Sequence, residues 1–263
     1  MKAVTRAPAP LVVAATFAVV LLVLPVVGLL QRMPWSALDD VLGGEAVADA
    51  IAVSLVVSLS ATGVCLVLGL PLAWILACRT FPGRSAVRAL VMLPMVLPPV
   101  VGGTALLFAL GRRGLVGQRL DDWFGITLPF TTAGAIVAAS FVALPFFVVT
   151  VEAAMAQLDD RYTETASSLG ARPWTTFVRV TLPMVRPAIV AGAALSWARA
   201  LGEFGATITF AGDSPGRTRT LPIEIFVALE TDPERAMALS LVLVAVSLTV
   251  LIALRGRWLG TAR

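Results

Sequence analysis

Residues 164–183, with the sequence ETASSLGARPWTTFVRVTLP, form a polar segment between two apolar runs that are long enough to cross a bilayer. Asp159 or Asp160 can accept the free N–H groups in the first turn of a helix that begins directly after them. Gly170 suits the left-handed residue that ends such a helix, and Pro173 suits the first turn of a following helix. The segment is therefore predicted to form a short helix, a sharp turn and a second helix that leads back into the membrane.

The composition places the chain among membrane proteins. Of its 263 residues, 58% are hydrophobic and 14% are charged, whereas about a quarter of a soluble domain is charged. Histidine is absent, which excludes histidine-based catalysis and imidazole metal ligands. The sequence contains no phosphate-binding loop of the GxxxxGK[ST] kind and no basic run typical of nucleic-acid binding. We therefore expect no catalytic residue, no metal site and no directly bound cofactor, and we expect that another chain or an ion gradient supplies energy.

Six apolar runs are candidates for membrane spans, because about 20 residues of helix cross the hydrocarbon core and lipid cannot satisfy an open backbone. The runs are Leu11–Leu30, Ala50–Cys78, Ala89–Gly111, Gly125–Val151 (helical from about Thr131), Pro187–Phe210 and Ala236–Leu254. The first could instead be a signal peptide, but its length and the lack of a small-X-small cleavage pattern favour a retained helix. The predicted fold class is an all-α polytopic membrane protein with six transmembrane helices.

The distribution of charge predicts the orientation. With the N-terminus inside, the cytoplasmic segments hold twelve basic and four acidic residues, whereas the outer loops hold seven basic and eleven acidic residues. By the positive-inside rule, both termini and the loop 152–186 are cytoplasmic. The chain then divides into an N-terminal helix with its outer loop (1–46), a transmembrane domain that includes the loop (47–255) and a short cytoplasmic tail (256–263).

An arginine and a glutamate interrupt the fifth apolar run. Arg199 and Glu203 are four residues apart, so they are predicted to share one helix face and form an ion pair. Gly202 and Gly205 allow a bend or a close approach of another helix. Two interpretations remain open: this face lines a translocation path in its outer half, or the pair joins packed helices. A direct contact between Arg199 and an anion is less favoured than the pair itself.

Three prolines occur in the third apolar run. Pro94, Pro98 and Pro99 each lack a backbone donor and can break a helix. A break at membrane depth is tolerated where it lines a cavity or is buried in protein. We expect a kink near the cytoplasmic end, with a role in gating left open. The apolar stretch Leu221–Leu229 is too short to cross a membrane and is expected to be a re-entrant or surface helix.

The polar segment resembles the cytoplasmic loop of permease subunits in ATP-binding-cassette (ABC) importers. That loop carries Glu-Ala-Ala, three residues, Gly and, later, a hydrophobic residue followed by X-Leu-Pro, and only Thr165 departs from this pattern here. The resemblance implies the six-helix permease fold of type I ABC importers and a helix that docks into a partner ATPase. The docking residues would be Tyr162, Glu164, Ala166, Leu169, Gly170, Ala171 and Pro173. A plain amphipathic connector at the membrane surface is the alternative.

Other stretches narrow the resemblance to permeases for oxyanions. They are ARALGEFGA at 198–206, LPMVLPPVVGG at 93–103 and the stretch 210–225, and they resemble molybdate permeases more than sulfate permeases. The resemblance implies a homodimer in the cell membrane, two cytoplasmic ATPase subunits that bind ATP and Mg, and an external binding protein that delivers molybdate or tungstate. Sulfate or thiosulfate import is the first alternative. An intramembrane enzyme and a gradient-driven carrier are less favoured.

Overall fold

A computed structural model describes residues 8–33, 35 and 43–258, and every regular element among them is a helix. Predictions that concern 1–7, 34, 36–42 and 259–263, including most of the first outer loop and the end of the tail, lie outside the described residues. A π-helical turn, Phe177–Thr181, joins α8 to α9. The helices are α1 Ala9–Arg32, α2 Glu45–Cys78, α3 Arg84–Val96, α4 Pro99–Leu110, α5 Gly117–Phe124, α6 Thr132–Ala156, α7 Arg161–Ser168, α8 Pro173–Thr176, α9 Leu182–Leu201, α10 Gly205–Ala211, α11 Leu221–Thr231 and α12 Pro233–Trp258.

Five helical stretches of the described chain are long and apolar enough to span a membrane. They are α1, α2, α6, the continuous stretch Pro173–Leu201 and the part of α12 up to Val250. A bent pair, α3 with α4, makes a sixth passage if it is counted as one span. These findings confirm the predicted all-α polytopic membrane fold. The N-terminal end of α6 is also where the sequence places it, since the Thr131 hydroxyl caps the helix by accepting the N–H of Gly134.

The third span, predicted over Ala89–Gly111 with a kink at its prolines, is broken at Leu97 and Pro98. The axes of α3 and α4 differ in direction by 119°. Leu97 is extended, as expected for a residue that precedes a proline. Pro98 then precedes α4, and Pro99 occupies its first turn. The expectation that Pro94 breaks the helix is wrong, because Pro94 lies inside α3.

The bent pair still extends from one end of α6 to the other. Arg88 in α3 forms an ion pair with Glu152, near the C-terminal end of α6. Gly102 in α4 lies against the ring of Phe141, near the middle of α6. At the end of α4, Gly111 lines the same cleft as Thr131, which caps the N-terminal end of α6. The pair therefore contacts α6 at both ends and near its middle despite the bend.

The principal core joins α2, α6 and α9 around Phe147, which is fully buried. A Cβ added to Gly69 of α2 would lie 2.6 Å from Cδ1 of Phe147, and a Cβ added to Gly192 of α9 would lie 3.2 Å from Cδ2. Because these glycines have no side chain, α2 and α9 can both pack closely against the Phe147 ring of α6. Close packing of this kind, rather than removal of apolar surface from water, drives the association of helices within a bilayer.

The fifth span also differs from its predicted range, Pro187–Phe210. One helical stretch runs from Pro173 to Leu201, and a separate short helix, α10, follows after Gly202. Helix continues through Leu182 and Pro183, so the second helix predicted for the polar segment is continuous with the fifth span. The chain accommodates the missing N–H of Pro183 with the π-helical turn, in which the Leu182 N–H donates to the carbonyl of Phe177.

Candidate functional site

The polar segment begins with a capped helix, α7. Asp159 rather than Asp160 satisfies its first turn, because Oδ1 of Asp159 accepts the N–H of Arg161 at 3.0 Å. Oδ2 of the same carboxylate accepts Nε of Arg161 at 2.8 Å. These hydrogen bonds from Arg161 lower the pKa of the Asp159 carboxyl below its ordinary value. The carboxylate therefore stays ionised at neutral pH and holds the start of α7.

The turn after α7 has the predicted left-handed glycine. Gly170 has a φ of +80°, which residues with a Cβ rarely adopt. The N–H of Ala171 donates to the Ala166 carbonyl at 3.0 Å, and the N–H of Gly170 donates to the Ser167 carbonyl at 2.9 Å. These bonds satisfy carbonyl groups at the end of the helix. Pro173 opens α8, so the predicted order of helix, sharp turn and helix is confirmed.

Two of the residues predicted to dock a partner have large apolar side chains that are solvent-exposed. Leu169 at the turn is 83% exposed, and Tyr162 near the start of α7 is 54% exposed. Among the other predicted docking residues, Glu164, Gly170 and Pro173 are exposed, whereas Ala166 and Ala171 are half-buried. The segment thus presents a polar helix with an apolar tip that the described part of its own subunit does not cover.

Arg199 and Glu203 form the predicted ion pair, but not on one helix. Because α9 ends at Leu201, Glu203 lies in the break before α10. Nη1 of Arg199 lies 2.6 Å from Oε2 of Glu203, and Oε1 accepts the N–H of Ala206 at 2.8 Å. Glu203 is 2% exposed, and a buried carboxylate requires such partners. Both of its oxygens are therefore engaged, whereas the Arg199 side chain remains 27% exposed.

The two helix breaks lie directly against each other. A Cβ added to Gly205 would lie 2.9 Å from Cβ of Pro99 and 3.2 Å from the backbone nitrogen of Val100. One turn further along, a Cβ added to Gly103 would lie 2.8 Å from the carbonyl oxygen of Ala206. The short helices α4 and α10 therefore begin at the same level and run in the same direction. Glycine at both contacts permits this close approach.

Two buried glutamates form ion pairs that were not predicted from the sequence. Arg88 of α3 binds the buried Glu152 of α6. Opposite charges at the adjoining ends of consecutive spans are a signal that could have revealed it. The second contact surrounds Glu224 of α11, which is 3% exposed. The carboxylate of Glu224 accepts hydrogen bonds from the guanidinium groups of Arg219 at 3.3 Å and Arg235 at 2.5 Å. The sequence signal that could have revealed this contact is a glutamate inside an apolar stretch that arginines flank.

Within the part of the chain that the structure describes, no three His, Cys, Asp or Glu side chains are grouped closely enough to hold a metal ion. The features that remain are the exposed helix and turn, the two adjoining breaks and the Arg199–Glu203 ion pair, which spans the break between α9 and α10. They combine an exposed polar segment with interruptions inside two of the predicted spans.

These features define the class as a helical membrane component of a transport system. The chain belongs to the family described as binding-protein-dependent transport system inner membrane component, whose model matches residues 69–261. The resemblance to permease subunits of ABC importers is therefore confirmed.

Curated relatives include permeases for two oxyanions. The molybdenum transport system permease protein ModB of Mycobacterium tuberculosis is 41% identical over 239 residues, covering 91% of this chain and 90% of the relative. ModB of Escherichia coli is 41% identical over 211 residues, covering 80% and 92%. The sulfate transport system permease protein CysT of E. coli is 38% identical over 242 residues, covering 90% and 87%.

Solved structures support the fold. A bacterial ABC transporter involved in the import of the acidic polysaccharide alginate superimposes with a TM-score of 0.73 at 20% identity, covering 96% of both chains. The alginate ABC transporter in complex with a pentasaccharide-bound periplasmic protein gives a TM-score of 0.71 at 21% identity, covering 93% of this chain and 92% of the other. At this identity the likeness concerns the fold.

Proposed function

We propose that this protein is the membrane-spanning permease of an ATP-driven importer of molybdate or tungstate and that it works as a homodimer. The assignment of the cargo rests on the 41% identity to ModB proteins over most of both chains. Sulfate or thiosulfate is the second candidate, because the sulfate permease CysT is nearly as similar. Exchange between these cargoes requires no change in fold, since both are oxyanions that a separate binding protein can select.

The exposed helix–turn–helix is the proposed contact with two cytoplasmic ATPase subunits. The polar face of α7 suits an aqueous cleft, and the exposed side chains of Leu169 and Tyr162 supply apolar contacts. A connector lying on the membrane surface would be expected to turn such side chains toward lipid. ATP and Mg would be bound by the ATPase, and this chain would contribute no catalytic group. Closure of the ATPase pair would bring the two docking helices together and open the pathway outward.

The remaining partners are a second copy of the chain, an external oxyanion-binding protein and the bilayer. The apolar side chains of α1 are exposed along the helix and are available to lipid or to the second copy. One structural neighbour was solved with a periplasmic protein bound, which supports a binding protein as partner. Both termini and the docking segment are proposed to be cytoplasmic.

Arg199, Gly202, Glu203 and Gly205 are proposed to border the pathway where the two breaks meet. Glu203 neutralises most of the charge of Arg199 while cargo is absent, and the exposed part of the guanidinium keeps further N–H donors. A passing oxyanion would meet a weak cationic site, which favours passage over tight retention. If the pair is only structural, Arg199→Ala should reduce the yield of folded protein, and the protein that folds should transport at the normal rate.

A charge reversal tests the docking assignment. Glu164→Lys and, separately, Gly170→Pro should abolish co-purification with the ATPase and uptake, while membrane insertion is retained. Glu230→Lys is the matched control, because Glu230 is equally exposed but lies at the end of α11. Normal ATPase association of both docking variants would refute the assignment.

The cargo is tested by reconstituting the permease with its ATPase and its binding protein in vesicles. ATP-dependent uptake of labelled molybdate should exceed that of labelled sulfate at equal concentration, and tungstate should compete with molybdate. Preferential uptake of sulfate would replace the cargo assignment and leave the docking assignment intact.

The orientation is tested with cysteines introduced at exposed positions in the Cys78→Ser background. A membrane-impermeant maleimide should label Ser168→Cys only after the cells are permeabilised, whereas Gln118→Cys should react in intact spheroplasts. The reverse pattern would invert the topology and remove the basis for cytoplasmic docking.

A further inference from the structure

The loop between α4 and α6 contains an amphipathic helix, α5, with an exposed apolar face. At 100° per residue, Val116, Leu120, Trp123 and Phe124 fall on one side, and Gln118 falls on the other. Trp123 is 72% exposed and Phe124 is 67% exposed, and their rings meet edge-on with centroids 6.4 Å apart. A face of this kind in water alone would be unfavourable, so it requires an apolar partner.

Backbone contacts hold α5 at a fixed height beside the end of α4. The N–H of Val116 donates to the Ala109 carbonyl at 2.9 Å. Gly117 fits so closely that an added Cβ would lie 2.1 Å from the carbonyl oxygen of Gly111. Gly125, with a φ of +64°, ends the helix. α5 is therefore fixed beside the end of the apolar helix α4 and lies shortly before the apolar helix α6 in the chain.

Three arginines flank the apolar face. Arg112, Arg113 and Arg119 are exposed, and none of them forms an ion pair within the described residues. Arg113 and Arg119 line a cleft of about 630 Å³ together with Gln118, Asp122 and Trp123, so two guanidinium groups and one carboxylate border it. Acidic residues outnumber basic ones on the proposed outer side, so a cluster of three arginines is unusual there. An anionic partner would account for it.

We propose that α5 and these arginines form an interfacial site for anionic phospholipid. The apolar face would enter the upper acyl region, and the guanidinium groups would donate to the lipid phosphate between Arg113 and Arg119. Tryptophan favours this depth because its ring is apolar and its N–H is polar. A soluble protein partner would leave the apolar surface unexplained where it continues onto the membrane helix α4 through Phe108, which is 75% exposed.

This site does not depend on the identity of the cargo or on ATP. It would fix the outer end of the bent passage α3–α4 relative to the bilayer. The break at Pro98 would then be free to change its angle while the outer end of α4 stays at constant depth.

The depth of α5 is measured on the full chain in nanodiscs. In the Cys78→Ser background, a bimane probe is attached to Trp123→Cys, to Phe124→Cys or to the matched control Gln118→Cys. Phosphatidylglycerol brominated near the top of its acyl chains should quench the probes at 123 and 124 at least about twofold more than the probe at 118. Equal quenching at 118, or the absence of quenching at both 123 and 124, would overturn the proposal.

The headgroup contact is measured by thermal unfolding of the full chain. Replacing phosphatidylcholine by phosphatidylglycerol should raise the apparent Tm of the wild type, and Arg112→Gln with Arg113→Gln and Arg119→Gln should remove most of that rise. Arg217→Gln, which removes an exposed arginine from another loop, should retain it. A rise that the triple variant retains would contradict the site. A rise produced in phosphatidylcholine by inorganic phosphate or molybdate would instead indicate a site for free oxyanions.

Discussion

Replacement of Gly103 by alanine tests the contact between α4 and α10. The added Cβ would lie 2.8 Å from the carbonyl oxygen of Ala206, 2.8 Å from Cβ of Thr209 and 3.0 Å from Cα of Ala206. Comfortable contacts between such atoms are about 3.5 Å, so the helices would have to separate by roughly 0.5–1 Å. Two of the three opposing atoms belong to the backbone, so a change of rotamer cannot relieve the overlap.

The expected destabilisation follows from two opposing terms. Overpacking in a close contact costs about 1–3 kcal/mol, and alanine gains at most about 1 kcal/mol over glycine in a helix. The net loss is therefore about 0–3 kcal/mol with a midpoint of about 1.5 kcal/mol, which corresponds to a fall in apparent Tm of about 3–6 °C for a protein of this size. The purified protein in detergent can be followed by tryptophan fluorescence during heating.

Gly63→Ala is the matched control, because Gly63 is a glycine inside a membrane helix with no atom within 4 Å of an added Cβ. Its apparent Tm should stay constant or rise slightly. If Gly103→Ala proves as stable as Gly63→Ala, then α4 and α10 are not in close contact. The arrangement of the two adjoining breaks would then be wrong.

Three further outcomes are expected. Arg88→Gln should lower the apparent Tm more than Glu152→Gln does, because Arg88→Gln leaves a buried carboxylate unpaired, which costs about 1–3 kcal/mol of stability. The double variant should recover part of this loss. Equal losses in the two single variants would contradict the reasoning. Gly170→Ala should speed amide hydrogen exchange in α7, because a residue with a Cβ at a φ of +80° weakens the turn by about 1–2 kcal/mol even though no atom crowds that Cβ. Unchanged exchange would show that the turn tolerates a side chain. Because Arg161 lowers the pKa of the Asp159 carboxyl, the stabilisation of α7 by this carboxylate is fully present above the ordinary carboxyl pKa and is lost as pH falls through the lowered pKa. Amide hydrogen exchange in α7, corrected for intrinsic rates, should therefore be constant from about pH 5 to 8. Asp159→Asn should speed this exchange throughout that range.

Local signals in the sequence predicted the elements whose ends depend on nearby residues. The start of α6 follows from the capping hydroxyl of Thr131, and the turn after α7 follows from Gly170 and Pro173. Each of these features requires a partner only a few residues away. The Arg199–Glu203 pair was predicted for the same reason, because a separation of four residues keeps the side chains close even where the helix ends between them.

Features that depend on distant residues were not predicted in detail. Proline content indicates that a helix can break, but Pro94 lies inside α3 whereas Pro98 separates α3 from α4. The difference lies in what surrounds each position, since Pro99 packs against Gly205 more than 100 residues away in the chain. The fifth span was predicted to begin at Pro187, whereas helix runs from Pro173 through Pro183, where a π-helical turn shifts the hydrogen-bond pattern before the proline.

The turn at Gly170 and the break at Gly202 lie at the two ends of one helical rod. Helix is continuous from Pro173, three residues after the turn, to Leu201, immediately before the break. At 1.5 Å per residue, its 29 residues measure about 43 Å. About two thirds of the way along, Gly192 packs against Phe147, which also contacts Gly69 of α2. On the proposed function, a displacement imposed on the turn by an ATPase would tilt this rod about that contact. The opposite end carries Arg199 and adjoins Glu203, so the displacement would reach the level where α4 and α10 begin without bending the helix between.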